Sequence, residues 1–414
     1  MKSAHSPRSG WYTLRHRGFA LFIVMRILSN FATQIVAVAV GWQIYDLSRN
    51  PADLGLVGLF QFAPALLLGL VAGAASDRFN RRAIGAVCLL VESVVALTIL
   101  LLTATGAVSV AIIFMLLVLF GVARAFFNPA SGSLLPNLVP KEDLSNAIAL
   151  GTSAWQIGTV AGPAIGGILY GISAETAYGT AFAFFLAAAI LIALIRKPSQ
   201  KNVPEPPSWA SLMGGITFIR GQRVVLGAIA LDLFAVLLGG AVALLPAFAR
   251  DVLDVGPWGL GLLRSASGLG SLAMGLYLTT RPIRDHSGLI MLAAAGAFGV
   301  FTVVFGLSGL AWLSILMLFL MGAMDMVSVN IRETLIQLWT PDWLRGRVNA
   351  VSMLFIGASN ELGAFRAGMV AALIGVVPAV VVGGLGTVAI AGLWVRLFPE
   401  LRRIRALTAP EHPA

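Results

Sequence analysis

Apolar residues in this chain come in long runs, and polar residues fall in short breaks between them. Twelve runs of roughly 20 residues or more lie at 19–45, 54–76, 83–105, 108–135, 144–171, 175–195, 222–249, 257–280, 287–308, 310–338, 346–374 and 376–398. At about 1.5 Å of rise per residue, each is long enough to cross the roughly 30 Å of bilayer hydrocarbon as a helix. The pattern predicts an all-α membrane protein with twelve transmembrane helices. One break differs from the rest. Residues 196–221 carry four prolines and mixed charge, with no spanning run. This segment divides the chain into six-helix halves at 1–195 and 222–398, with a tail at 399–414. Within it, Ser208 to Arg220 can form a short helix along the membrane surface.

Composition agrees with the pattern. The 414 residues are 58% hydrophobic and 11% charged, where a soluble domain carries about 25% charged residues. The formal charge of +10 reads as topology and lipid contact, not nucleic-acid binding. With the N-terminus inside, Lys and Arg gather in the inner loops and tails, and only Arg49 and Arg250 fall in the outer ones. That asymmetry predicts that both termini are cytoplasmic. The basic N-terminus leads into an apolar run from Gly18 to Gln43, too long for a signal-peptide core, so it reads as a retained first span. Cys88 is the single cysteine, so no intrachain disulfide can form.

The halves echo each other. Gly121 to Pro140 in segment four and Gly322 to Pro341 in segment ten have the same spacing, and each is followed by an Asn-Ala pair (Asn146-Ala147, Asn349-Ala350). Duplicated halves are the architecture of transporters that rock around a midplane site. Between segments two and three, Gly73, Asp77, Arg78, Arg81 and Arg82 are spaced G-x-x-x-D-R-x-x-R-R. This resembles the loop signature of the major facilitator superfamily, where it latches the two halves on the cytoplasmic side. The resemblance implies that fold, with Asp77 facing the N-terminal end of the helix that starts near Gly346. The second-half copy keeps Gly275 and Arg281 but has Thr279 in place of the acid, so the latch is one-sided.

Segment five carries Gly158, Gly162, Pro163, Gly166 and Gly167 as G-x-x-x-G-P-x-x-G-G. It is similar to the motif of the antiporter branches of that superfamily. Its physical content is a bend at proline and close helix approach at the glycines. Val40 to Asn50 and Ala123 to Pro140 resemble a bacterial exporter branch that includes the enterobactin exporter and macrolide-efflux proteins, of drug:proton antiporter type. The fourth-span RxxxG pattern of drug antiporters reads Arg124 to Asn128 here, with Asn replacing Gly.

Charges inside the spans mark the candidate chemistry, because charge in hydrocarbon needs a partner or a water-filled cavity. They are Arg26, Glu92, Arg124, Asp232, Arg264, Asp325, Arg332, Glu333, Glu361 and Arg366. Arg26, Asn30 and Gln34 recur every four residues and form one polar stripe. By the resemblance, spans 1, 4, 7 and 10 line a central cavity. Arg26 and Arg124 then face Asp232 and Asp325, and protonating a carboxylate would weaken that attraction. Glu361 is a further candidate for coupling. Glu92 stands apart, on a segment that in this superfamily faces lipid or the bundle flank, and Glu333 reads as a local partner of Arg332.

The expected function is secondary-active, proton-coupled efflux of a small molecule, a siderophore or a hydrophobic drug, by a monomer that needs no cofactor or metal. No nucleotide-binding GxxxxGK[ST] loop is present, which leaves the proton gradient as the energy source. An uptake carrier of the same fold is the alternative. A membrane-embedded enzyme has little support: the histidines (5, 16, 286, 412) lie in tails or near a loop, and no HExxH or GxSxG occurs.

Overall fold

The computed structural model describes residues 10–196 and 209–408. Lys2, Arg8, Lys197, Lys201 and Ser208, and the end of the tail from 409, lie outside the described residues. Among the described residues the chain is helical throughout, with no strand. A short 3-10 turn at Gly10–Arg15 precedes six helices: α1 Arg17–Ser48, α2 Pro51–Arg78, α3 Arg81–Ala104, α4 Val110–Leu134, α5 Leu144–Ile172 and α6 Ala174–Leu194. Then come α7 Trp209–Gly221, α8 Arg223–Gly239, a single turn α9 Leu245–Ala247, α10 Gly256–Thr280, α11 Ser287–Leu307, α12 Ala311–Trp339, α13 Asp342–Ile374, α14 Val376–Leu397 and the short α15 Pro399–Arg403.

Nine stretches among the described residues are long and apolar enough to span a membrane. The other three expected spans, α5, α10 and α13, are helices of 29, 25 and 33 residues. They have the length but are diluted by glycine, polar and charged residues, and their small residues let neighbouring helices approach closely. Large apolar side chains such as Leu67, Val71, Met115, Met353 and Leu373 are exposed, as expected of surface that meets acyl chains.

The helices gather into two compact units, Met1–Val40 with Ala63–Pro206, and Gly41–Phe62 with Pro207–Ala414. In the first, α3 packs on α4 and α6, and Phe120 meets Phe185 edge-on at 5.9 Å. In the second, α11 packs on α12 and α14, α10 on α12, and α8 on α13 and α14. The start of α2 belongs to this second unit. α7, the expected surface helix, docks on α13 and α8. Its Ile219 is buried in a cluster with Val225, Ile229, Ile336, Leu344 and Val348.

The seventh expected span, 222–249, is not continuous. α8 stops at Gly239, because Gly240 takes a left-handed conformation (φ 43°), which glycine adopts without the steric cost of a Cβ. A 3-10 turn, α9 and a π turn at Phe248–Val252 follow. A break inside hydrocarbon exposes carbonyls that water cannot reach. Arg366 of α13 supplies donors: its Nε donates to the Leu237 carbonyl at 2.9 Å and its second terminal nitrogen to that of Leu238. Beyond the break, Arg250 pairs with Asp46, Asp251 accepts from Tyr45, and Arg49 lies 3.8 Å from Asp251. So Arg49 and Arg250, the two cations expected in outer loops, both have carboxylate partners. The break predicts that Arg366→Met, which orphans two carbonyls at about 1–3 kcal/mol each, lowers the melting temperature in detergent clearly. Arg366→Lys should recover part of the loss. An unchanged melting curve for Arg366→Met would show that the break is satisfied by other means.

Candidate functional site

The first unit holds a cavity of about 340 Å³, lined by Arg26, Ser29 and Asn30 of α1, Arg124, Phe127, Asn128, Ser131 and Gly132 of α4, and Trp155 of α5. A fourth-span glycine would leave that wall bare; Asn128 puts an amide there. The two cations differ in their surroundings. Arg26 has a buried Nε without a hydrogen-bond partner, and no carboxylate pairs with it among the described residues. Arg124 has an aromatic bed, its guanidinium 5.8 Å from the Phe120 ring centroid and 5.7 Å from that of Phe127. Such cation–π contacts stabilise a guanidinium without neutralising it.

Arg124 also has an ionic partner that its own helix does not reveal. Glu92 of α3 is fully buried, not turned to lipid, and its Oε1 lies 3.8 Å from an Arg124 terminal nitrogen. A signal for this pair exists in outline: a carboxylate in the middle of an apolar run requires a cation at its own depth.

The polar stripe of α1 divides between two surroundings. Arg26 and Asn30 reach the cavity. Asn30 also donates to the Trp155 carbonyl at 2.5 Å and to Thr159 Oγ1 at 3.3 Å. Gln34 lies against the glycine face of α5 and not in the cavity wall. A Cβ added at Gly158 would come within 2.6 Å of Asn30 Nδ2, one at Gly162 within 2.6 Å of Gln34 Cβ, and one at Gly166 within 3.0 Å of Ile35 Cα. The G-x-x-x-G-P-x-x-G-G stretch is therefore the seat of α1. Pro163 and Gly167 are buried in the same helix.

The loop between α2 and α3 closes the end of this unit. Asp77 lies 3.5 Å from Arg81. Arg81 is buried and donates to the Ser76 and Ser133 carbonyls at 3.1 and 3.0 Å. Arg82 donates to the Ile195 carbonyl at 2.6 Å, and Asn80 caps α3 through the Arg82 amide. Two arginines thus satisfy carbonyls at the C-terminal ends of α4 and α6, where cations are favoured by the helix dipole. Arg78 is exposed and Gly73 half-buried.

In the second unit, Asp232 of α8 pairs with Arg332 of α12, both buried. Glu333 is a weaker partner, 3.7 Å from the Arg332 Nε. Asp232 and Asp325 line a small cavity of about 20 Å³ with Ala294, Ala295 and Phe298 of α11. Glu361 of α13 brings its carboxylate close to Gly58, so that a Cβ there would displace it. No group of His, Cys, Asp and Glu among the described residues could hold a metal ion. The seat of α1 predicts that Gly162→Leu, which drives a side chain into Gln34 at an overpacking cost of about 1–3 kcal/mol, lowers thermal stability in detergent. A melting curve like that of the unaltered protein would show that α1 does not rest on this face.

Comparison with known proteins gives the family. The transmembrane secretion effector family matches residues 8–412. Enterobactin exporter EntS of Citrobacter koseri is 26% identical over 401 residues, covering 94% of each chain. The protein of that name from Escherichia coli strain SMS-3-5 is 27% identical over 410 residues, covering 96% of each. Among solved structures, a bacterial homologue of the human lysosomal transporter Spinster, inward-facing and unoccupied, shares the fold. Its TM-score is 0.73 at 15% identity, over 94% of this chain and 99% of that one. The chain belongs to the major facilitator superfamily, in its transmembrane secretion effector family, and is a multi-pass membrane transporter rather than an enzyme.

Proposed function

We propose that the protein is a secondary-active exporter of the inner membrane that moves an anionic aromatic small molecule of the siderophore class outward in exchange for protons. The observation that carries this reading is the cavity in which Arg26 and Arg124 stand beside Phe127 and Trp155. Guanidinium groups bind carboxylate or phenolate oxygens through directed donors, and aromatic walls take the ring. The enterobactin exporters among its relatives handle a ligand by name in keeping with that chemistry. An uncharged hydrophobic drug would leave Arg26 without a counter-charge.

In this reading both termini are cytoplasmic, following the bias of Lys and Arg. The six-helix halves 1–195 and 222–398 rock about the midplane, joined by the linker 196–221. Asp77, with Gly73, Arg78, Arg81 and Arg82, latches the cytoplasmic side in one state, and the stretch from Gly158 to Gly167 is the pivot on which α1 bears. Protons act on the acids of the second half. A proton on Asp232 cancels its attraction for Arg332, and Asp325 stands in the same small cavity. Glu361 is the third acid in that half.

Inside-out membrane vesicles test the proposal. An acid lumen should drive uptake of a radiolabelled catecholate siderophore, and a protonophore should abolish it. Asp232→Asn and Asp325→Asn should each reduce gradient-driven uptake to the level of vesicles lacking the protein, with the variants still present in the membrane. Wild-type uptake by both variants would overturn the coupling, and gradient-independent accumulation would overturn the antiport.

A further inference from the structure

One of the two cations lining the cavity of the first unit is paired with a charge that does not line it. Glu92 has no exposed side-chain surface, and neither carboxylate oxygen accepts a hydrogen bond. The helices packed against α3 are α4 and α6. From α4 the ionisable group facing Glu92 is Arg124. α6 offers Glu175, exposed in its first turn, and Tyr178, a buried phenol that is neutral near pH 7. On α3 itself Cys88 lies one turn before it. Arg124 is therefore shared, with Glu92 on one side and the cavity on the other, its side chain 20% exposed. Arg26 is not shared.

The charges then sum simply. Two guanidinium groups and one carboxylate leave the site with a single net positive charge. In a medium of low polarity an uncompensated charge is unfavourable, so the ligand that restores neutrality is preferred over one that leaves a charge of either sign. We propose that Glu92 is a specificity-determining residue that acts through Arg124 and sets the cavity to take ligands with a single negative charge. The inference rests on the anionic-substrate reading above and narrows it. With Glu92 neutral, the same cavity would favour a doubly charged ligand; with Arg26 neutral as well, the singly charged one again.

Calorimetric binding to the purified full-length protein near neutral pH tests this. The probes are catechol, a dihydroxybenzoate and a dihydroxyphthalate, which carry none, one and two negative charges. The unaltered protein should bind the dihydroxybenzoate most tightly. Glu92→Gln should move the dihydroxyphthalate to first place, with a gain on the order of ten-fold. Adding Arg26→Gln to Glu92→Gln should return the dihydroxybenzoate to first place, a rescue that a merely structural role for Glu92 would not produce. Should Glu92→Gln alone yield no folded protein, Glu92→Gln with Arg124→Gln removes both partners and leaves one cation. That variant should still rank the dihydroxybenzoate first, whereas Arg124→Gln alone should rank catechol first. An unchanged order in Glu92→Gln, an equal loss for all three probes, or a failure of these rankings overturns the role of Glu92 and leaves the substrate reading standing. If the unaltered protein binds none of the probes, the substrate reading falls and this inference falls with it.

Discussion

The cost of leaving a charge unpaired in hydrocarbon governs where this chain puts its ionisable side chains. Asp232 and Arg332 neutralise each other inside the second unit. Glu92 and Arg124 do so inside the first, at a looser 3.8 Å. Arg26 and Arg264 are the exceptions, cations with no carboxylate partner among the described residues and each with a buried Nε that lacks a hydrogen-bond partner; of the two, Arg26 is the one that lines the larger cavity. The charge that the fold leaves uncompensated is the charge that a ligand can compensate, so the cavity and its cargo are linked by the same constraint that pairs these other ions.

Arginine has a second use here, which follows from the backbone. Helix ends and helix breaks leave carbonyls that lipid cannot satisfy. Arg81 and Arg82 reach such carbonyls at Ser133 and Ile195, and Arg366 reaches those at the break before Gly240. Lysine would bring a single ammonium, whereas a guanidinium spans two carbonyls from one planar group. Arg81 and Arg82 of the loop between α2 and α3 therefore hold their own unit together, whatever they do for orientation and for the latch.

The spans are legible in the sequence because bilayer thickness imposes a length on every apolar run. The glycine-rich stretch of α5 is legible as a packing face because small residues at four-residue spacing have few other uses in a membrane helix. What that face holds is not legible: Asn30 and Gln34 look alike on the α1 stripe, and only the position of α5 sends Gln34 onto Gly162 while Asn30 also reaches the cavity. The break at Gly240 is hidden for a related reason. With 45 glycines in the chain, the residue type does not announce which one takes a left-handed conformation. Partners across helices, Asp232 with Arg332 and Glu92 with Arg124, are set by packing between segments far apart in sequence. A periodicity within one helix cannot supply them: it finds Glu333 beside Arg332, a pair that persists at 3.7 Å, but not the closer Asp232, and it leaves Glu92 on a segment expected to face lipid or the bundle flank.

The central claim is that the ligand's anion is held between Arg26 and Arg124. A structure of the protein with a brominated aromatic carboxylate, bound at a concentration that saturates transport, tests it most directly through the anomalous signal of bromine. The account predicts a bromine peak inside the cavity, with the carboxylate toward the Arg26 guanidinium and the ring beside Phe127 and Trp155. A peak elsewhere, with this cavity unoccupied at saturation, would contradict it.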